Sequence, residues 1–360
     1  MNLDFKKKVI YLLGLIFVLG ACTEKNKKRI FSDAIQISHK VLVQENQLQD
    51  PWDILLIDSS LIVANQKGEP LLDVYNLEGN KLASFLSRGN GPEEVLMIGS
   101  LQKSIQGEKL LVYDLFGKKF LQYAIKLGLK EVKLDTILNY QSLLEDSAVL
   151  FDKLFISKNY IIGESRSPEG RIALMNKDGS LIRYGGKYPP KTEAKISDFE
   201  NAHLYASNIT VKKDGSKLAL ATSTAGMIDI YSIKNDSILL NWSYNEFLPD
   251  HLHVIEMGGV FRAAITDETR SGYADIESTE RFIYALYSGR KVKEKNYSFG
   301  SIIRLVDWNA TVGLELQTNL DLKRITVSED DQYIYAIAKD RDGFPCIVAF
   351  YIGNIINKLI

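Results

Sequence analysis

Short stretches in which apolar and polar residues alternate dominate the chain after residue 30, and turn residues separate them. Val, Ile, Leu, Tyr and Phe supply most of the apolar positions, and a period of two is typical of half-buried β-strands. Stretches with the 3.6-residue period of an amphipathic helix are scarce. The pattern therefore predicts an all-β protein built from many short strands.

One hairpin unit recurs along the sequence. In its first copy, VYNLEGNKL (74–82), an apolar and aromatic strand leads into a turn at Gly79, which supplies the positive φ of a tight hairpin, and a second strand follows. Five further copies, with the Gly turn kept or replaced by an Asn-rich turn, begin at Val112, Leu174, Ile230, Leu305 and Ala349. The aromatic residues at these positions are expected in the core between units.

A second strand pair precedes several copies, as in ITVKKDGSKLALA (209–221) and ITVSEDDQYIYAIA (325–338). Together the two cues give about four strands per unit. A small sheet cannot bury both faces alone, so we expect six such units packed around an axis, an all-β, six-bladed β-propeller with about four antiparallel strands per blade. A sandwich or barrel of about 24 strands would be unusually large.

The copies are irregularly spaced, whereas a bare blade needs about 40 residues. We therefore place inserted connections at residues 127–147, 185–202 and 243–280. Long loops in a compact domain are usually functional, so these connections are expected to build the binding face. Residues 34–44 resemble a strand and are expected to pair with the last blade, which would close the ring.

The N-terminus indicates a targeting segment. Three lysines from Lys6 onward precede an apolar run that is too short to cross a bilayer core of about 30 Å, and the motif Leu19-Gly20-Ala21-Cys22 follows. This order resembles the bacterial lipoprotein signal, which implies that Cys22 is diacylated and becomes the new N-terminus. The alternative is an ordinary secretory peptide with a chance cysteine.

We accordingly divide the chain into a signal peptide (1–21), a polar tether (22–30) and a single propeller domain (31–360).

The formal net charge of -1 gives no global field to attract nucleic acid, so a nucleic-acid partner is not expected. With Cys22 lipidated, Cys346 remains as the second cysteine, and its apolar neighbourhood favours a buried, inert thiol. We expect a monomer without a cofactor.

The chain resembles the TolB-like six-bladed propeller lipoproteins of Bacteroidetes. The match rests on the lipoprotein signal, on the loop RGNGPEE (88–94) and on the segment 284–322, which contains YSGR and RLVDWN. Glu94 stands where the family's loop usually has a second glycine, and Ala310 replaces the glycine of its Asp-Trp-x-Gly turn. The resemblance implies the propeller fold and a lipid-anchored position in the cell envelope, which we expect to be the periplasmic or surface face of the outer membrane. The family is largely uncharacterised, so no reaction follows from it.

The RGNGPEE loop carries the first candidate site. Its glycines allow close backbone approach, and Arg88, Asn90 and Glu93 could bind an anionic or hydroxyl-bearing ligand. The alternative, which we favour, is that Arg88 and Glu93 pair with each other or cap backbone groups and so fix the turn between two blades.

The long insertion and the segment after it carry the second set of candidate ligand-binding residues: His251, His253, Arg262, Arg270, Tyr273 and Arg290. His251 and His253 share one face of a strand, but no third ligand follows at a recognised spacing, so we expect no metal site. The arginines and Tyr273 would suit polar recognition, for example of a sugar, and solvated loop charges are the common alternative.

These features favour a lipid-anchored envelope propeller that acts as a ligand-binding or protein-interaction module, with a glycan or an envelope protein as partner. The alternative is a hydrolase or lyase that acts on a glycan or lactone at the channel mouth. It would require carboxylates and histidines to converge there within hydrogen-bonding distance, and the sequence identifies no catalytic residue.

Overall fold

The computed structural model describes residues 30–31, 33–105, 109–126, 131–140, 153–191, 197–250, 252–257 and 260–359. The expected signal peptide, Cys22 and nearly all of the tether lie outside these residues. None of the helices in the described part is long and apolar enough to cross a membrane.

The chain begins with the short strands β1 (Ile35–Gln36) and β2 (His39–Val43), and four separate four-stranded antiparallel sheets follow. Blade one contains β3 (Pro51–Ile57), β4 (Ser60–Asn65), β5 (Leu72–Asn76) and β6 (Lys81–Phe85). Blade two contains β7 (Ile98–Lys103), β8 (Lys109–Asp114), β9 (Lys119–Lys126) and β10 (Glu131–Asn139). Blade three contains β11 (Leu154–Ile156), β12 (Ile161–Ser167), β13 (Gly170–Met175) and β14 (Leu181–Gly185). Blade four contains β15 (Ser207–Val211), β16 (Lys217–Thr222), β17 (Met227–Lys234) and β18 (Ser237–Asn245).

The connection from β14 to β15 contains the helix α1 (Asp198–Leu204), and the hairpin β19 (Leu252–Met257) and β20 (Val260–Ile265) lies between blades four and five. Ser197 caps α1, because its hydroxyl accepts from the Glu200 N–H while the Glu200 carboxylate accepts from the Ser197 N–H. The helix packs against β12, β19 and β20. It thereby supports a hairpin that two strands alone would not stabilise.

Blades five and six share one eight-stranded sheet. Its strands are β21 (Tyr273–Ser278), β22 (Phe282–Tyr287), β23 (Gly300–Asp307), β24 (Gly313–Val327), β25 (Tyr333–Lys339) and β26 (Pro345–Tyr351), together with β1 and β2. The first part of β24 pairs with β23 and its last part pairs with β25. This one strand is therefore the outer strand of blade five and the inner strand of blade six, and the sheet counts as two blades of a six-bladed propeller.

The N-terminal strands close the ring. β2 pairs antiparallel with β26 and supplies the outer strand of blade six, while β1 pairs parallel with β24 outside blade five. Val43 is fully buried against blades one and six. The predicted closure by residues 34–44 is confirmed, and the short helix α2 (Gly353–Ile356) ends the described fold.

The predicted insertions are confirmed only in part. The helix α1 lies in the second and the β19–β20 hairpin in the third. The first, predicted at residues 127–147, is wrong over residues 131–139, because β10, the ordinary outer strand of blade two, occupies them. Apart from Tyr140, the rest of that range lies outside the described residues. The first copy of the unit, the β5–β6 hairpin, joins the third and fourth strands of blade one, whereas the copy that begins at Val112, the β8–β9 hairpin, joins the second and third strands of blade two. The fourth strand of blade two therefore still follows this copy, and it occupies residues that the prediction assigned to an insertion. A further long connection, residues 288–299 of blade five, was not predicted.

Apolar clusters fill the spaces between neighbouring blades. The repeat aromatics Tyr75, Tyr113 and Tyr231 are buried there, as predicted. Cys346 is also buried, and burial raises the pKa of its thiol to about 11. A thiol in this position is protonated at neutral pH, in agreement with the prediction of an inert cysteine.

Candidate functional site

The first strands of the blades, with the last part of β24, surround the propeller axis and leave a narrow channel. Connections between blades, such as residues 86–97 and 246–272, and loops between second and third strands, such as residues 288–299, lie at one end, which we call the insertion face. The remaining loops, including residues 328–332, lie at the other end, the hairpin face. The long connections between strands therefore lie mostly on the insertion face, whereas the loops of the hairpin face are short.

Charged side chains line the channel. Asp53 comes from β3, Asp275 and Glu277 from β21, and Lys153 directly precedes β11. The Lys153 Nζ lies 3.7 Å from the Asp275 Oδ1, and the Asp275 Oδ2 accepts from the backbone N–H of Ile325 at 3.0 Å. The contacts of Asp275 with Lys153 and Ile325 thus connect blades three, five and six. Among the described residues, the three carboxylates of the channel outnumber its one lysine.

Burial raises the pKa of two of these carboxyls. Desolvation raises the pKa of Glu277 to about 8, and the charges of Asp275 and Asp53 act in the same direction. Desolvation also raises the pKa of Asp53, although Lys153 and Arg324 oppose the shift. Glu277 therefore titrates near neutral pH.

Ion pairs cross the hairpin-face end of the channel. Glu329 of blade six lies 2.8 Å from the Lys103 Nζ of blade two and 3.9 Å from the Lys213 Nζ of blade four. Neither of these blades neighbours blade six, so the contacts extend across the axis. The Lys103 ammonium donates to Glu329 and lowers the pKa of its carboxyl.

The channel is small. Its cavity has a volume of about 30 Å³, which is room for about two water molecules. Sites for small molecules usually measure about 300–1,000 Å³. A sugar or lactone ring therefore does not fit inside this cavity among the carboxylates.

The RGNGPEE loop, which connects blades one and two on the insertion face, is held in place by Arg88. One guanidinium nitrogen donates to the Leu96 carbonyl at 3.0 Å and another to the Gln66 carbonyl at 2.9 Å. The backbone of Arg88 also forms an isolated bridge with Val95. Arg88 thus caps backbone groups and links the loop to blade one.

Blade two holds the other side of the loop. The Lys119 Nζ donates to the carbonyls of Gly91 and Pro92 at 2.8 and 3.1 Å, and the Glu94 carboxylate accepts from the Gly91 N–H at 2.8 Å. The buried Asp114 carboxylate accepts from the N–H groups of Leu96 and Met97. These bonds fix the loop before any ligand arrives.

Several side chains of this region remain exposed. Asn90, Pro92 and Glu93 lie on the surface, and Met97 and Phe116 are exposed beside them. A backbone bond from the Leu115 N–H to the Met97 carbonyl, 2.9 Å long, keeps the two chain segments adjacent. We call these five residues the RGNGPEE ridge.

The other predicted site residues have different surroundings. The Arg270 guanidinium lies 4.9 Å from the Phe247 ring centroid, and Arg290 forms an ion pair of 2.6 Å with Asp321. Tyr273 is 1% exposed and packs in the core between blades four and five, which removes it from the surface that would meet a ligand. His251 and the side chains of His253 and Arg262 lie outside the described residues. Arg270 contacts Phe247 at the junction of blades four and five, and Arg290 contacts β24, the strand that blades five and six share. The RGNGPEE ridge, by contrast, lies between blades one and two.

Arg304 on β23 is the main polar residue that the sequence interpretation missed. Its guanidinium carbon lies 3.7 Å from the Tyr287 ring centroid, and it donates to the Tyr273 hydroxyl at 2.9 Å. It also contacts Glu246 at 2.6 Å and Glu315 at 2.8 Å. The one signal was an arginine inside an otherwise apolar strand, and its role is to join blades four and five.

Comparison with known proteins agrees with this architecture. The chain is 12% identical to a member of the DUF4221 family from Bacteroides vulgatus, with a TM-score of 0.58 over 90% of this chain and 98% of that one. It is 13% identical to a Bacteroides fragilis protein described as exported, with a TM-score of 0.52 over 91% and 96%. At such identities the likeness shows the fold alone. No curated protein matches the chain. The model of the TolB-like 6-blade propeller-like family matches residues 28–330, and the chain therefore belongs to that family.

Proposed function

We propose that the protein is a lipid-anchored binding module of the cell envelope that docks a protein partner on its insertion face through the RGNGPEE ridge. The observation that carries this proposal is the way the loop is held. Arg88 and Lys119 donate to four backbone carbonyls, so the loop conformation is set by blades one and two. A preorganised surface loses less conformational freedom on binding, which favours affinity.

The composition of the ridge supports a protein partner. Phe116 is 54% exposed and Met97 is 40% exposed, and the backbone bond from Leu115 to Met97 keeps their chain segments adjacent next to the loop that carries Asn90 and Glu93. Interfaces between proteins typically combine an apolar or aromatic centre with a polar rim, and Met and Phe are enriched in them. Exposed apolar side chains that are adjacent and fixed are a common mark of such a surface.

The channel supports binding more than catalysis. Glu277 and Lys153 line the channel, but its cavity of about 30 Å³ leaves no room for a glycan or lactone next to them. A hydrolase or lyase would need its substrate within hydrogen-bonding reach of these groups. The binding module is therefore the better supported function.

The envelope location rests on the N-terminal sequence and is consistent with the description of the Bacteroides fragilis neighbour as exported. Two acyl chains on Cys22 would give a stable anchor, since one chain alone binds a membrane only marginally. Radiolabelled palmitate should be incorporated into the protein in bacterial cells and not into the variant Cys22→Ser. Incorporation into both, or into neither, would contradict the anchor.

Site-specific photo-crosslinking in cells tests the docking face. A photoreactive amino acid at position 116 should give one defined adduct with a protein, and the same group at position 333 on blade six should not. Tyr333 is a suitable control, because it is 40% exposed and begins β25 at the hairpin face. Equal adducts at both positions, or none at position 116, would overturn the proposal. If only glycans raise the thermal midpoint of the purified protein, the partner is a glycan instead.

A further inference from the structure

The outer strand of blade four, β18, has an unusual surface. Its nine residues, SILLNWSYN, include no charged side chain. The outer strands of the other blades, as far as the structure describes them, all carry charges, among them Lys81, Lys133, Arg183, Glu315 and Lys40. The additional strand β1 is only two residues long. Proteins usually protect an exposed sheet edge with charges or by keeping it short, so β18 is an unprotected edge.

Two leucines make this edge strongly apolar. Leu239 is 51% exposed and Leu240 is 57% exposed. Leu239 pairs with Ser232 and Leu240 with Tyr231, which places the leucines on opposite faces of the blade. The edge therefore presents apolar side chains on both sides.

The described chain begins next to this strand. Phe31 is buried, and its ring centroid lies 5.0 Å from that of Tyr244 on β18 in an edge-to-face contact. The cysteine that we propose to be lipidated, Cys22, precedes Phe31 by nine residues, which can span about 30 Å at most. The bilayer surface must then lie within that distance of Phe31, which contacts the end of β18 that carries Tyr244. Residues 23–29 include four basic residues and one acidic residue, a balance that favours anionic headgroups.

We infer that β18 is the edge of the propeller that contacts the membrane, with Leu239 and Leu240 in the interfacial layer of the bilayer. This inference rests on the lipid anchor of the proposed function. The propeller then lies on its side, with blade four toward the lipid. Blade one is opposite blade four in a six-bladed ring, so the RGNGPEE ridge between blades one and two is directed away from the membrane and is free to dock a partner.

Fluorescence quenching tests this orientation. The full lipoprotein, with Leu240→Cys labelled by an environment-sensitive dye, is placed on vesicles of phosphatidylethanolamine and phosphatidylglycerol that contain a lipid-borne quencher. Leu181→Cys is the matched control, because Leu181 is 49% exposed on the outer strand of blade three. The thiol of Cys346 is buried and should not react in the folded protein. We expect quenching at position 240 to exceed that at position 181 severalfold.

The outcomes separate the inference from the proposal on which it rests. If the wild-type protein floats with the vesicles and the variant Cys22→Ser does not, the anchor stands. Equal quenching at positions 240 and 181 would then overturn the membrane-facing edge alone. A protein that does not float would overturn both. A dimer in detergent that shields the dye at position 240 would assign β18 to contacts between two copies and would also overturn the inference.

Discussion

The Arg171 guanidinium on β13 of blade three forms an ion pair with the Asp229 carboxylate on β17 of blade four, and both side chains are almost completely buried. A second guanidinium nitrogen donates to the hydroxyls of Ser207 and Thr222 at 2.9 and 2.8 Å. The contacts of Arg171 therefore join two blades whose other contacts are mostly apolar. Removal of either charge would leave its partner buried without compensation.

The variant Arg171→Met should lower the free energy of unfolding by about 3–5 kcal/mol, because breaking a buried ion pair leaves an unpaired buried carboxylate. Urea denaturation of the purified protein measures the loss. The control is Lys191→Ala, which removes an exposed pair with Asp198 and should cost less than about 1 kcal/mol.

The double variant Arg171→Met with Asp229→Leu distinguishes the buried charge from a simple packing defect. Apolar replacement of both partners is often nearly neutral, so the double variant should be more stable than Arg171→Met alone. A double variant that is less stable than either single variant would contradict the argument.

Phe31 should contribute strongly to stability although it lies near the start of the described chain. Its ring belongs to the apolar cluster between blades four and five, and it contacts the Tyr244 ring and the Arg304 guanidinium. The variant Phe31→Ala should cost about 3–5 kcal/mol, because the loss of a buried aromatic ring leaves a cavity. The exposed Phe116 provides the control, and Phe116→Ala should change stability by about 0.5 kcal/mol or less. Similar small losses in both would show that the N-terminal segment does not help to hold the ring.

Much of the fold could be predicted from the sequence, because the period-two alternation and the hairpin turns are local signals. The error at Val112 shows the limit of those signals. The sequence of the β8–β9 hairpin has the same alternation and a glycine at the same place in the turn as that of the β5–β6 hairpin, so the pattern cannot tell which strands of a blade it joins. Their order is set by contacts with the neighbouring blades, which the alternation does not record.

The channel groups could not be found in the same way. Asp53, Lys153 and Glu277 come from three different blades, and no fixed spacing links them. The available signal was a carboxylate within the apolar first strand of a blade, as in PWDILLI, where Asp53 interrupts the apolar run. The RGNGPEE loop was recognisable as a motif, but the bonds from Arg88 and Lys119 that hold it depend on residues distant in sequence.

Gly272 should tolerate no larger side chain. It lies just before β21, and a Cβ atom on it would stand 2.0 Å from the Ala225 carbonyl oxygen and 2.3 Å from that of Thr222. Since these are backbone atoms of blade four, they cannot move aside cheaply, and Gly272→Ala should cost about 3 kcal/mol. Gly343→Ala is the control, because that turn has open space and only its positive φ adds strain, about 1 kcal/mol. Equal thermal midpoints for the two variants would contradict the close approach.

Glu277 should make the protein less stable as the pH rises toward 8. Burial raises the pKa of its carboxyl from 4.5 to about 8, so between these values the folded state holds a proton that the unfolded state has released. The stabilisation from this proton is complete below the unfolded pKa and is lost as the pH rises through the folded pKa. Asp53, whose pKa is also raised, acts in the same direction, while Asp275 and Lys153 face both groups. Urea midpoints at about pH 5 and about pH 8 should therefore differ less in Glu277→Gln than in the wild type, with part of the difference kept by Asp53. The exposed turn residue Glu78 serves as the control, since Glu78→Gln should leave the difference between the two urea midpoints unchanged. If Glu277→Gln also leaves this difference unchanged, the Glu277 carboxyl is already ionised in the folded channel.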